Sequence, residues 1–349
     1  MRTARPVVDP FVTAVERRLA PLRRPEPKDP ARRRRQAAAE DVATSRELGI
    51  APIPAYTEEH TLPVAGHPDV RVRVYWPSPE RAEAVTGRGT GLPILVYCYG
   101  GGFTIAGIDW VGWDAGFRRR AREAGIIIVA VDYAHAPETR FPAQPEQCWT
   151  ALEWAHAQAS DLGGDPARIA IGGASSGGNL AAAVTLMNRD RANRPIRLQL
   201  LEAPALDLTM AHADIRGLDA KVPGIIVRKV GARLVRQYLG RSRNAPLDPY
   251  ASPLRAASHA GLPPAVIYTS ELDPLRGDGE AYARTLTAAG VPATAIRYIG
   301  QTHTSGGLLR HVPAADHLHR DIITTLRTLH DDPVSYPDPG PRTGAGRSR

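Results

Sequence analysis

The stretch Ile169-Ala170-Ile171-Gly172-Gly173-Ala174-Ser175-Ser176-Gly177-Gly178-Asn179-Leu180-Ala181 decides the fold. Its opening residues read as a short buried strand, Gly173 to Gly177 as a tight turn, and the residues from Asn179 as an alanine-rich helix. That is the Gly-x-Ser-x-Gly nucleophile elbow in a strand–turn–helix context. A serine on such a turn points its hydroxyl away from the sheet. Gly173 and Gly177 carry no Cβ to collide with the neighbouring strand and helix. Ser176 begins the helix, so its N–H is free and faces the place where negative charge would develop. Ser176 does not fit the nucleophile's place itself, because Ala174 and Gly178 would flank it.

Working outward, apolar runs occur at 94–99, 126–131, 169–171, 198–201, 265–268 and 295–299. Each is short and continuous rather than alternating, as strands buried on both faces should be. Helix-compatible stretches lie between most of them, at 115–124, 145–158, 179–189 and 279–289, and a last helix spans about 314–329. This alternation predicts a mainly parallel sheet with helices on both faces. Residues 70–76 alternate strictly and read as a half-exposed antiparallel strand. Residues 1–60 read as polar helices broken by prolines, with Phe11, Val12, Val15 and Leu19 as an apolar stripe that can dock. The linker 77–91 reads as a surface loop. About 60 residues separate the strands at 198–201 and 265–268, far more than a crossover needs. Two amphipathic stretches within 207–245 predict a helical lid there. A Pro/Gly/Arg tail from Asp331 reads as disordered. The domain reading is therefore cap helices over 1–60, one catalytic domain over 61–330 with a cap insertion at about 207–245, and a tail over 331–349.

A serine hydroxyl is a poor nucleophile until a base takes its proton, so an acid and a histidine should follow, in that order. The strand at 265–268 runs into Ser270-Glu271-Leu272-Asp273-Pro274, which sets Asp273 just beyond a strand's carboxyl end. One strand later, Gly300-Gln301-Thr302-His303 sets His303 in the equivalent place. The chain has eleven histidines, but His311, His317 and His319 fall in or beside the last helix rather than at a strand end. Upstream, the strand at 94–99 runs into Gly100-Gly101-Gly102-Phe103. Three glycines leave backbone N–H groups unobstructed, as an oxyanion hole requires. Trp110 and Trp113 suit a pocket wall or core packing equally.

Together these motifs resemble the hormone-sensitive-lipase family of α/β-hydrolases. The resemblance rests on Gly100–Phe103, the run Val131-Asp132-Tyr133-Ala134-His135-Ala136-Pro137-Glu138, then Phe141-Pro142-Ala143, the elbow, and Asp273-Pro274-Leu275-Arg276. It covers about residues 70–330. It implies an α/β-hydrolase fold with a mostly parallel eight-stranded sheet and a helical cap. It also implies Ser175 as nucleophile, His303 as general base, Asp273 as its orienter, and Gly101, Gly102 and Ser176 as oxyanion donors. Esters are the implied substrate class, with neither metal nor organic cofactor. The chain departs from the family at Tyr99, where a histidine is usual, at Ala174 and Ser176 in the elbow, at Thr304 and Ser305 after the histidine, and at Ala134 and His135. Tyr99 and Gly100 are carried as substrate-binding candidates, although the Tyr99 hydroxyl suits support of the glycine loop better than a place beside the substrate.

The chain of 349 residues is 43% hydrophobic and 23% charged, ordinary for a globular protein. A net charge of +8 raises nucleic acid as a partner. The positive charge is scattered arginine, however, and the run Arg32 to Arg35 has no interleaved aromatic residue, so it reads as a solvated helix face. Cys98 and Cys148 read as buried reduced thiols. No stretch approaches the roughly 20 apolar residues of a membrane span, and the N-terminus lacks the apolar core of a signal peptide, which makes a cytoplasmic place the default expectation. The expected partner is a small-molecule ester, with homodimerisation left open. The leading reading is a serine hydrolase cleaving a small or medium carboxylic ester through an acyl-enzyme. Its alternatives are a non-hydrolytic enzyme on the same site (acyl transfer, ring closure or elimination) and a ligand-binding receptor on a disabled hydrolase scaffold.

Overall fold

In the computed structural model, which describes residues 6–80, 91–214, 224–242 and 244–334, the continuous apolar runs lie side by side in one sheet. Its strands are β1 (Thr57–Val64), β2 (His67–Tyr75), β3 (Leu92–Cys98), β4 (Ile127–Asp132), β5 (Gly164–Ala174), β6 (Gln199–Glu202), β7 (Ala265–Leu272) and β8 (Ala293–Thr302). They stand in the order β1-β2-β4-β3-β5-β6-β7-β8. β1 and β2 pair antiparallel, as do β2 and β4, and every other pair is parallel.

The helices are α1 (Pro10–Leu19), α2 (Pro30–Glu47), α3 (Val111–Ala124), α4 (Ala143–Gln158), α5 (Ser176–Arg191), α6 (Gly224–Leu239), α7 (Arg276–Ala288) and α8 (Pro313–Arg327). Successive side chains of a strand point to opposite faces. Tyr97 meets Trp113 and Phe117 of α3, whereas the next residue, Cys98, meets Cys148 of α4 with sulfurs 3.4 Å apart. The two helices therefore cover opposite faces. Both cysteines are free and fully buried, as expected. Helix α5 is buried on every side from Ser176 to Asn188, its polar Asn179, Thr185 and Asn188 hydrogen-bonded within the protein, so it sits inside the molecule rather than on it. No helix among the described residues is long and apolar enough to cross a membrane.

Three expectations need correcting. Residues 57–64 are strand β1, not part of a helical segment; exposed Glu59, Thr61 and Pro63 alternate with a covered face, but that face starts with the polar Glu58 and His60, which hides the strand signal. Of the apolar stripe on α1, Val12, Val15 and Leu19 are buried against Leu48, Leu308 and Val312, but Phe11 is 55% exposed. The arginine run is not wholly a solvated face. Arg33 is 5% exposed, pairs with Glu26 and lies 3.5 Å from the Gln237 side chain of α6, while Arg34 grips the Glu138 carboxylate with both terminal nitrogens. Within the expected lid, one helix is described, α6. Residues 81–90 of the expected surface loop, 215–223 and 243 of the lid, and 335–349 of the expected tail lie outside the described residues.

Candidate active site

The nucleophile candidate sits where β5 gives way to α5. Ser175 has φ 53° and ψ −116°, a conformation that L-residues seldom adopt, and it is held there by its neighbours. Its N–H donates to the Glu202 carbonyl at 2.8 Å, and its carbonyl accepts from Asn179 and Ala205, each at 3.1 Å. The flanking glycines are required by contact. A Cβ on Gly173 would lie 2.2 Å from the Gly177 carbonyl oxygen, and one on Gly177 would lie 2.0 Å from the Cys98 carbonyl oxygen. β3, the elbow and the start of α5 are thus pressed backbone to backbone. A Cβ on Gly100 would meet the Ala174 carbonyl oxygen at 2.8 Å, which puts the glycine loop directly against the serine turn.

Asp273 follows the last residue of β7, and His303 the last residue of β8. His303 Nδ1 lies 2.8 Å from Asp273 Oδ2, and its Nε2 lies 3.0 Å from Ser175 Oγ. The three side chains form one row, serine to imidazole to carboxylate. Asp273 is 1% exposed, and its other oxygen accepts the Leu275 N–H at 2.9 Å, so both carboxylate oxygens are engaged. Burial works against a charge on His303, but the Asp273 charge and hydrogen bond outweigh it and hold the imidazole pKa above its ordinary value. The loop carrying His303 is pinned by Ser305, whose hydroxyl accepts from the Thr302 N–H and donates to the Thr302 carbonyl, both at 3.0 Å.

The glycine loop folds over the serine turn. Gly101 N–H donates to the Ser176 hydroxyl at 3.1 Å. Gly102 has φ 57°, in the left-handed region that glycine tolerates, and Leu234 of α6 lies against it: a Cβ there would meet Leu234 Cδ1 at 3.2 Å. One residue on, Phe103 stacks on Tyr238 of α6, with ring centres 3.7 Å apart and planes 3° from parallel. Helix α6 therefore rests on the glycine loop.

Tyr99 is fully buried, and its hydroxyl lies 3.2–3.3 Å from the Asp132 carboxylate, the Tyr133 carbonyl and His135 Nε2. That geometry fits support of the glycine loop; a phenol beside the substrate does not fit it. Trp113 packs in the core with Tyr97, Tyr99 and Phe117, whereas Trp110 helps line a cavity of about 310 Å³ with Asp41, Gly107, Asp132 and His135. Sequence reasoning missed Tyr133 and Glu202. Tyr133 OH donates to the Tyr99 carbonyl at 2.9 Å and lies 3.3 Å from Ser176 Oγ. Glu202, whose carbonyl holds the Ser175 amide, receives both terminal nitrogens of Arg120 and the Tyr97 hydroxyl on its carboxylate. An isolated glutamate ending a short strand leaves no local pattern to find.

The profile of a family described as alpha/beta hydrolase fold matches residues 95–305. Carboxylesterase NlhH of Mycobacterium tuberculosis is 38% identical over 279 residues, 78% of this chain and 83% of that protein. An ethyl acetate hydrolase of Pseudomonas putida is 32% identical over 247 residues, 70% of this chain and 71% of that one. Among solved structures, a hyperthermophilic esterase from Pyrobaculum calidifontis superposes with a TM-score of 0.78 at 31% identity, covering 93% of this chain and 99% of the other.

Proposed function

The chain belongs to the hormone-sensitive-lipase family of α/β-hydrolases and is a carboxylic-ester hydrolase, and from that premise we propose that it cleaves a small or medium ester through an acyl-enzyme on Ser175. The observation that carries the reading is the row Asp273–His303–Ser175, with contacts of 2.8 and 3.0 Å. In the proposed reaction His303 takes the Ser175 proton as the oxygen attacks the ester carbonyl. Negative charge gathers on the former carbonyl oxygen, within reach of the backbone N–H groups of Gly101, Gly102 and Ser176. Asp273 holds the imidazole so that Nε2 faces the serine, and it favours the imidazolium that forms. The alcohol leaves with that proton. Water then attacks the acyl-serine with His303 again as base, releasing the acid. The contacts of Leu234 and Tyr238 on the glycine loop support a compact substrate, because a bulky acyl group would have to displace the cap helix.

A purified sample given a p-nitrophenyl ester of a two- to four-carbon acid tests this. Turnover with a burst of nitrophenol is expected, and Ser175→Ala should lower it by at least about 10³-fold. Folded protein that releases no nitrophenol, or turnover that survives Ser175→Ala, sinks the hydrolytic reading; the former outcome favours acyl transfer or elimination on the same residues.

A further inference from the structure

The Gly101 N–H, one of the three proposed oxyanion donors, already has a partner inside the protein: the Ser176 hydroxyl, 3.1 Å away. Ser176 is 1% exposed, so its hydroxyl cannot turn to bulk water. Its proton can be traced. Tyr133 has one hydroxyl proton and gives it to the Tyr99 carbonyl at 2.9 Å. Burial holds the Tyr133 phenol well above its ordinary pKa, so that proton stays in place. The 3.3 Å contact between Tyr133 and Ser176 must then be filled by the Ser176 proton, with the phenol oxygen accepting. Ser176 consequently turns a lone pair, and not its proton, toward Gly101.

We propose that the Ser176 side chain is an internal acceptor that occupies one donor of the oxyanion hole, so that this chain's hole is tuned down by its own elbow. The proposal rests on the esterase reading given above. An alkoxide forming on the substrate must draw the Gly101 N–H away from a tethered hydroxyl, and meets that hydroxyl's lone pair at close range. A charged acceptor wins the exchange, since charge-assisted hydrogen bonds are about twice as strong as neutral ones. The net gain is nevertheless smaller than from an uncommitted donor, because preorganised donors contribute most when no bond must be broken to use them. An alanine at this position has no such acceptor. The backbone N–H of Ser176 is untouched by the exchange and remains a donor in every variant.

Ser176→Ala is therefore expected to raise kcat/KM for a short p-nitrophenyl ester by a few-fold. It should also lower the inhibition constant of a small alkylboronic acid, which forms a tetrahedral adduct on Ser175 Oγ, by at least the same factor. Ser176→Cys, with a weaker acceptor, should fall between the two, and it stands in for the alanine variant should that fail to fold. A value of kcat/KM that is unchanged or lowered in the variants, with boronate affinity following it, overturns the proposal and makes the hydroxyl a support for the loop. Wild-type protein that neither turns over the ester nor binds the boronate in a Ser175-dependent way instead fails the esterase reading itself.

Discussion

At the scale of single residues, the proposed chemistry turns on His303. Burial disfavours its charged form, yet the Asp273 carboxylate at 2.8 Å more than compensates and raises its pKa. General-base catalysis needs the neutral imidazole, so kcat/KM should rise with pH along a limb centred above the ordinary imidazole value of 6.5. Asp273→Asn should move that limb down and lower kcat by about 10³–10⁴-fold, since the amide no longer fixes the tautomer. A pH–rate profile in which the asparagine variant keeps the wild-type midpoint would show that Asp273 does not orient the base. The linkage to stability runs the other way. The pair favours the folded state fully below the unfolded imidazole pKa, and that contribution is lost as pH rises through the raised folded value.

Legibility in the sequence also differs residue by residue. Ser175, Asp273 and His303 each follow a strand's end, and a strand end is a feature that local pattern records. Arg33 is the opposite case. Its partner on α6 lies 204 positions away, so nothing near residue 33 announces that the side chain is buried. Tyr133 lies within residues 131–138, which carry the family resemblance, but its contacts depend on Tyr99 and Ser176 converging from two other strand ends.

At the scale of elements, α6 bears on the glycine loop rather than on the row Ser175–His303–Asp273. Its Leu234 occupies the space over Gly102, and Tyr238 is locked to Phe103 by stacking. Leu234→Ala should open room above the loop and raise the preference for six- to eight-carbon acyl groups over two-carbon ones by several-fold, since each methylene accommodated in an apolar pocket contributes about 1–3 kcal/mol. Comparing kcat/KM across a series of p-nitrophenyl esters measures the shift; an unchanged chain-length profile would mean that Leu234 does not bound the acyl site. The lid was legible as a surplus of residues between β6 and β7. Which side chain it lowers onto the site was not, because that depends on how a helix rotates about its axis on the loop below. β1 was missed for a related reason. Its covered face holds the polar Glu58 and His60 before Leu62 and Val64, so burial alternates along the strand where hydrophobicity does not.

At the scale of the whole molecule, the N-terminal segment is tied to β8, the strand that ends at His303. Asp9 donates its N–H to the Gly300 carbonyl at 2.9 Å, accepts the Gln301 side-chain amide at 3.0 Å, and caps α1 through Phe11 N–H at 2.8 Å. α1 then buries Val12, Val15 and Leu19 against the segment that follows His303. Asp9→Ala should cost about 1 kcal/mol from the lost cap. If the tether also steadies β8, kcat falls several-fold with KM little changed, and Asp9→Asn restores most of it. A variant that melts earlier but turns over at the wild-type rate would confine Asp9 to capping.

The row that joins Ser175 to His303 spans 128 positions of chain, and the Asp9–Gln301 contact spans 292. Contacts of such separation close large loops and form after local structure. During synthesis the elbow leaves the ribosome long before the strand that ends at His303. A partly made chain therefore carries Ser175 without its imidazole contact, and under the proposed mechanism the capacity to attack an acyl group arrives only with the last strand and the helix that packs behind it.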